Sequence, residues 1–488
     1  MQTIVELNDE VLSRVSNTVQ IQITGNCFSI RVLRNMCFVV LRKFNKTVQC
    51  VLMKKDNPLV FNTLAGLTEE SSITIGGTVK KSPTPIKSCT VTAYEIEISD
   101  LDIISHAKTL PFFVANADNI LVDADEETKE DTEEDTDNSR ARVSRQSRLE
   151  NRWIDLRASN NYTIVVLRSN LLNAIRSIVL ADGFIEVSTP KIVPTASESG
   201  SSVFSLDYFK KKAALAQSPQ LYKQMLINSG FRGIFEVGPV FRAENSGTYR
   251  HLCEFTGLDL EFPIEPYQSH LNIISRIWSI LYRAFEQFYD ANKPAIEQIF
   301  SLTGVTKLVM PDLPVLIDFV DGAVMLRDAG FDQDPTEDIG SVNERELGKI
   351  IKQKYGIDIF ALINYPTKVR PFYTMAKQTG PIGEIGEPTY AKYSRSFDLI
   401  MRNNEVSSGA QRVHNPSMLK DRIRLSGIEL DFEHKTSGLE DYVRSFEYGS
   451  VPHGGCGIGV ERLIMLYLGL PNVRSVSLFP RDPKTLTP

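Results

Sequence analysis

The run DADEETKEDTEEDTD, Asp123 to Asp137, sets ten acidic residues against one lysine, Lys129. A stretch so rich in like charge and so poor in apolar area cannot bury a core, so it reads as a solvated linker and the chain must fold on either side of it. With 488 residues there is enough chain for two or more domains. The run also masks the character of the remainder: the whole chain carries −6, but outside the run the balance is +3. Arg140, Arg142, Arg145, Arg148 and Arg152 follow at once. They read either as the basic end of a tether or as a contact for a phosphate backbone.

Before the acidic run, short alternating segments (VQIQITG, MCFVVLRK, KTVQCVLM, SSITIGGTVK and YEIEISDLDII) follow one another with turn residues between them. About five strands in roughly 100 residues predict a small closed β-barrel, and the commonest such module beside a nucleic-acid enzyme is an OB-fold. On MCFVVLRK, Phe38, Val40 and Arg42 share one face, and Cys37, Val39 and Leu41 the other. Phe38 is then either a packed residue or, beside polar neighbours such as Gln49, a platform for an unstacked base. Six scattered cysteines show no metal-ligand spacing and read as reduced thiols of a cytosolic protein. The start, MQTIVELNDE, lacks the basic and apolar regions of a secretory signal, and no apolar run suggests a membrane segment.

After the linker, helical and strand patterns mix. YTIVVLRSNLLNAIRSIVLADG has helical apolar spacing with Gly183 as its stop, FIEVSTPKI reads as a strand ending at Pro190, and LNIISRIWSILYRAFEQFYD as a second helix. In FRAENSGTYRHLCEFTGLDLE two strand-like arms flank a polar turn. Alternation puts Phe255, Gly257, Asp259 and Glu261 on one face of the second arm, and Arg242 with Glu244 on one face of the first. A guanidinium holds phosphate, a ring stacks a purine and a carboxylate accepts from an exocyclic amine, so the set suits a nucleotide.

Three further segments add to it. In AQSPQLYKQML, Pro219 follows a possible cap, Ser218, and Gln220 and Lys223 share a helix face where a lysine can receive a small carboxylate. SFDLIMRNNEVSSGAQR reads as a hairpin with Asp398 and Glu405 on its two arms and Arg412 at its end. Adjacent carboxylates repel unless a cation lies between them, which suggests Mg²⁺. HGGCGIGVERLIML is a glycine-rich strand running into a helix with Arg462 in its first turn, an arrangement that favours a triphosphate but fits neither the dinucleotide nor the P-loop spacing. Taken singly, each segment is also an ordinary salt-bridged face, helix start or surface hairpin.

Together the segments resemble the class II aminoacyl-tRNA synthetases of subclass IIb, and within them the aspartyl family of eukaryotic and archaeal type. GFIEVSTPKI, FRAENSGTYRHLCEFTGLDLE and GGCGIGVERLIML match the three class motifs in order, and SESGSSVF, AQSPQLYK, RPFYTM, SSGAQR and FPRDPKTLTP add family matches. The resemblance implies an α+β chain: an N-terminal segment (1–17), an OB-fold anticodon-binding domain (18–115), a hinge linker (116–148) and a class II catalytic domain (149–488) built on an antiparallel β-sheet flanked by helices. It implies that Arg242 holds the ATP α-phosphate, that Glu244 reads the adenine amine, that adenine lies between Phe255 and Arg462, and that Arg462 and His251 reach the γ-phosphate. Asp398 and Glu405, with Ser408 beside them, would hold Mg²⁺. Lys223 and Arg412 would take the side-chain carboxylate of L-aspartate, and Glu198, Ser218, Gln220 and Asp259 would surround its ammonium group. Phe38, Gln49 and Glu95 would meet the anticodon of tRNA(Asp), and Pro190 would lie at a homodimer interface. Asparaginyl enzymes share the subclass; Lys223 favours a carboxylate over an amide by a charge-assisted bond of about 1.5–3 kcal/mol.

Overall fold

The computed structural model describes residues 2–15, 19–119, 143–194, 202–377, 392–435 and 437–488; the acidic run and Glu198 lie outside them. The chain divides into two compact units, one holding the N-terminal residues together with those up to Thr163, the other running from Ile164 to Pro488.

The first unit is built on five strands: Gln20–Val32, Met36–Lys43, Lys46–Met53, Ser72–Lys81 and Tyr94–Ser105. The first three pair in sequence as antiparallel neighbours, the third pairs in parallel with the fifth, and the fourth joins the fifth to the first, which closes the barrel. Closure follows from alternation. Cys37, Val39, Leu41, Val48, Cys50, Leu52, Ile73 and Ile75 all turn inward and are buried, while Phe38, Val40 and Gln49 stay on the outer face. The helix Pro58–Ala65 starts on Asn57, whose side chain accepts the Val60 N–H at 3.1 Å, and sends Phe61 and Leu64 into the same core. Residues ahead of the barrel also belong to this core. Gln2–Thr3 pairs with the first strand, and Ile4, Leu7, Leu12 and Val15 pack with the barrel interior.

The arginines after the acidic run divide. Arg148 Nε meets Asp155 Oδ1 at 2.5 Å, and Arg152 holds the other oxygen of the same buried carboxylate. Two of the five are thus spent on an internal cluster rather than on a tether or on nucleic acid; Arg140 and Arg142 lie outside the described residues.

The second unit is organised by an eight-stranded sheet. Its order across is Leu316–Asp318, Ile359–Ile363, Ser396–Met401, Asn404–Gln411, His453–Gly459, Glu254–Pro263, Ile234–Phe241 and Ile185–Glu186. The six central strands are antiparallel to their neighbours and the outermost pair at each edge is parallel, so the sheet is mixed rather than wholly antiparallel. The strand expected to run to Pro190 shrinks to Ile185–Glu186, because Pro190 has no N–H to give and Val187 N–H, to Phe235 O at 2.9 Å, is the last main-chain bond to the sheet there.

Helices cover the sheet. Ser159–Ala181 matches a membrane span by length and by a mean hydropathy of 1.5, yet Leu167, Leu171, Leu172, Ile175 and Val179 are buried in the fold and Arg168 pairs with Glu461 at 3.0 Å. His270–Thr303 opens on a capping box between Ser269 and Asn272, bends at non-helical Asn292 just before Pro294, and ends at left-handed Gly304. Its buried residues Ile273, Ile277, Trp278 and Leu281 lie on one apolar stripe.

Candidate active site

The site begins with a strand that has almost no side chains. His453–Gly459 lies between Glu254–Pro263 and Asn404–Gln411, with Gly455 opposite Glu261, Gly457 opposite Asp259 and Gly459 opposite Gly257. A Cβ on Gly455 would stand 1.9 Å from Leu260 O and 2.5 Å from Glu261 Oε2, so only glycine lets the neighbouring strand approach. The bare backbone forms the floor of a cavity of about 450 Å³ whose walls carry charge from both flanking hairpins. Register sets the spacing: Asp259, Gly457, Ser408 and Asp398 lie in one row across four strands.

Of the residues expected at the site, Ser218, Gln220, Arg242, Glu244, His251, Phe255, Asp259, Glu405, Ser408, Arg412 and Arg462 line this one cavity. Lys223 and Asp398 stand just behind its wall, joined to lining residues. Glu198 lies outside the described residues. Phe38, Gln49 and Glu95 belong to the other unit: Phe38 is half-buried with the Arg31 guanidinium 4.8 Å from its ring centre, and Gln49 Nε2 donates to Glu95 Oε2 at 2.9 Å. Pro190 is exposed.

One end of the cavity is a buried quartet of charges. Helix Gln220–Asn228 starts just after Pro219, with Ser218 Oγ accepting the Gln220 N–H at 3.3 Å, and this start aims Lys223 at the sheet. Lys223 Nζ lies 2.9 Å from Asp259 Oδ1 and 3.3 Å from Glu261 Oε2, and also donates to Cys456 O at 3.1 Å. Arg412 Nε donates to Glu261 Oε1 at 3.0 Å, and its Nη2 to Glu261 Oε2 at 3.3 Å and Gln220 Oε1 at 3.2 Å. Burial alone would lower the Lys223 pKa, but Asp259 and then Glu261 outweigh it and the ammonium is held above its usual range. Burial works the other way on Glu261, where Arg412 and Lys223 hold the carboxyl below the usual range.

The hairpin Ser396–Met401/Asn404–Gln411 turns at Arg402 and Asn403, both with positive φ (45° and 67°), the pattern of a two-residue type I′ turn. Its two carboxylates do have a cation between strands, and the protein supplies it. Arg370 Nη2 donates to Asp398 Oδ2 at 2.7 Å and Nη1 to Ser408 Oγ at 3.2 Å, while its guanidinium lies 3.7 Å from the centre of the Tyr365 ring. Asp398 Oδ1 is buried with no hydrogen-bond partner among the described residues. Burial and then Asp398 push the Glu405 carboxyl upward, only partly offset by Arg462. Among the described residues no group of three or more His, Cys, Asp or Glu side chains is placed to hold a metal ion.

The other end is cationic. Arg242 and Glu244 do not continue the strand, which stops at Phe241. Arg242 N–H still bonds Cys253 O at 2.8 Å, but Asn245, Ser246 and Gly247 favour a loop over a longer hairpin. The Arg242 guanidinium lies 5.5 Å from the Phe255 ring centre, and its Nε is buried with no partner among the described residues. Arg462, in the first turn of Val460–Leu468, donates from Nη1 to Glu405 O at 3.0 Å. Burial, then Arg462, Arg250, Arg242 and Arg474, lowers the His251 pKa to about 4, so its imidazole is neutral at pH 7.

Sequence reasoning missed several members. Glu261 stood on the same strand face as Asp259 and was assigned no role, although that alternation was its signal. Arg370 lay within RPFYTM, a matched segment. Glu344, which takes Arg250 Nη1 at 2.7 Å and Glu405 N–H at 3.1 Å, sits on an ordinary amphipathic helix and gave no local signal. His453, wholly buried with Nδ1 2.7 Å from Val451 O, lies behind the quartet, where Glu261 and Arg412 both act on it.

The model of class II tRNA synthetases for aspartate, lysine and asparagine matches residues 144–483, and that of the OB-fold nucleic-acid-binding domain matches residues 21–104. A mouse protein named as a cytoplasmic aspartate–tRNA ligase is 38% identical over 99% of this chain and 92% of its own. An aspartyl-tRNA synthetase structure from Entamoeba histolytica superposes with a TM-score of 0.82 at 32% identity, over 99% of this chain and 92% of that one. An asparaginyl-tRNA synthetase from Pyrococcus horikoshii, at 24% identity and a TM-score of 0.80 over 99% of this chain and all of that one, shares the fold.

Proposed function

This chain belongs to the class II tRNA synthetases, alongside the aspartate–tRNA ligases, and from that premise we propose that its cavity joins L-aspartate to ATP and passes the product to tRNA(Asp). The observation that carries this reading is the gathering of Arg242, Phe255, Arg462, Asp259 and Arg412 around one cavity floored by glycine backbone. Its chemistry is ordered from end to end: a cluster of arginines, of which Arg250 is paired with Glu344 and Arg474 with Asp482, then a carboxylate hairpin, then a compensated quartet.

ATP takes the cationic end. Arg242 receives the α-phosphate, for which its unpartnered Nε is suited. Phe255 and Arg462 hold the adenine, Glu244 accepts from its amine, and Arg462 with neutral His251 meets the γ-phosphate. Aspartate takes the quartet. Its side-chain carboxylate shares Lys223 and Arg412, and its ammonium group meets Asp259, Gln220, Ser218 and Glu198. Aspartate is short enough that acceptors and donors for its two ends must be neighbours, as Lys223 and Asp259 are at 2.9 Å.

The donors of the hairpin are all oxygen, one of them the unpartnered Asp398 Oδ1, and this fits a hard cation. Asp398, Glu405 and Ser408 would hold Mg²⁺, which neutralises phosphate charge when bound. The α-carboxylate oxygen of aspartate bonds to the α-phosphorus and the bond to pyrophosphate breaks; a ribose hydroxyl of tRNA then displaces AMP. No side chain is needed as nucleophile, because Arg242 and Arg462 position the two anions and offset their charge.

The barrel offers Phe38, Gln49 and Glu95 to anticodon bases. Exposed Pro190, Ile185 and Ile192 near the sheet edge suit a homodimer contact. Like the relatives named so, the protein works in the cytoplasm. ATP–pyrophosphate exchange with aspartate and with asparagine, followed by charging of tRNA(Asp), tests the reading. Aspartate alone supports exchange, and Arg242→Ala abolishes it with the fold intact. Exchange driven by asparagine, or near-normal exchange in Arg242→Ala, overturns the assignment.

A further inference from the structure

From Arg370 we infer that the enzyme carries its own resident cation on the metal-holding hairpin, one that competes with a divalent ion for Asp398 until nucleotide arrives. The inference rests on the metal reading above and goes further, naming what sets the metal affinity of the free protein. Arg370 is mostly buried, makes two hydrogen bonds across the strand pair, to Asp398 Oδ2 and Ser408 Oγ, and is clamped from behind by the face of Tyr365. It therefore engages two of the three groups that would hold the ion. Its Nε is buried with no partner among the described residues, so those leave it unsaturated where it stands.

A divalent ion bound to free protein must share Asp398 with a guanidinium 2.7 Å away, and like charges at that range repel. Bound together with ATP, the same ion brings phosphate anions that compensate both cations. Metal and nucleotide then bind with positive coupling, and by linkage each strengthens the other by the same factor. Asp338 also lines the cavity and interacts with both Arg370 and Asp398, so the acids around this guanidinium come from two separate segments.

Mn²⁺ titration followed by electron paramagnetic resonance, with and without a non-hydrolysable ATP analogue, tests this on the full-length protein. In Arg370→Met the free protein should bind Mn²⁺ about tenfold or more tightly than wild type, the scale of losing one charge-assisted competitor. The gain in affinity on adding the analogue should shrink by a similar factor. Arg370→Lys, which keeps the charge, should stay near wild type, and Arg370→Met with Asp398→Asn should lose the tightening. Should Arg370→Met fail to fold, Arg370→Gln removes the charge while keeping a donor for Ser408 and gives the same comparison. Unchanged or weaker Mn²⁺ binding in the folded charge-free variant overturns the inference alone. Wild-type Mn²⁺ binding with the analogue that is indifferent to Asp398→Asn and Glu405→Gln overturns it together with the metal reading.

Discussion

Replacing Lys223 by methionine separates two jobs that the quartet combines. Lys223 and Arg412 face Asp259 and Glu261, and all four are at least 95% buried, so the cluster is neutral and dry. Loss of the ammonium leaves two carboxylates on one guanidinium. Breaking a buried pair from one side costs about 3–5 kcal/mol, which should appear as a fall in unfolding free energy. Catalysis loses a different quantity: one charge-assisted bond to the substrate carboxylate, about 1.5–3 kcal/mol, or roughly 10- to 150-fold in kcat/KM for aspartate. The double variant Lys223→Met/Asp259→Asn restores neutrality, so it should recover most of the stability and little of the activity. Urea unfolding and pyrophosphate exchange read the two separately. A single variant whose kcat/KM stays within about threefold of wild type refutes direct recognition by Lys223. Recovery of activity in the double variant would show that the lysine only balances charge.

Acid should destabilise the protein early. His453 and His270 are buried with pKa lowered to about 4; both are neutral at pH 7, and the unfolded chain takes up their protons first as pH falls. Their stabilising effect is complete above about pH 6.5 and lost progressively down to about 4, on the order of 3 kcal/mol each, which denaturant melts across that range check; a flat profile would contradict their burial as neutral rings. His251, also near 4, should rise by on the order of one unit when an ATP analogue places phosphate among the surrounding arginines; histidine NMR titration with and without the analogue decides, and an unmoved value argues against phosphate there. Gly455→Ala should lower stability by roughly 4 kcal/mol or more, since its Cβ would lie 1.9 Å from Leu260 O; Gly340→Ala, with open space around it, is the control.

What could be read from the sequence was what depends on period and turn chemistry. The barrel strands Met36–Lys43 and Lys46–Met53 follow directly from alternation, and the Arg402–Asn403 turn from its polar pair. Asp259 and Arg412 were assigned to the aspartate pocket through the resemblance of their segments to the family motifs, and Lys223 was singled out because it shares a helix face with Gln220. What stayed hidden depends on which strands become neighbours. Nothing local says that Gly457 would seat Asp259 and Ser408 on either side, or that Arg370, thirty-eight residues before Ser408, would fill the gap between hairpin strands. The shortened first-motif strand and the loop position of Arg242 were misread for a related reason: an extended pattern was taken for pairing, although Pro190 and the Asn-Ser-Gly turn withhold it.

Charge in this cavity is distributed by what each ligand brings. At the aspartate end two cations meet two acids, so the substrate's side-chain carboxylate and ammonium group can exchange partners there without changing the balance, while its α-carboxylate carries a further negative charge toward the phosphate end. At the hairpin Arg370 already holds one oxygen of Asp398, while the other has no partner among the described residues and Glu405 is pushed toward protonation, so acid remains for a further cation to meet. At the phosphate end several arginines suppress the charge on His251, Arg250 and Arg474 among them although each also holds an acid, Glu344 and Asp482. A metal–triphosphate pair would bring a cation to the hairpin and anions to these arginines together. The nucleotide and its ion, which arrive with opposite charge, are the ligands whose binding should be strongly coupled.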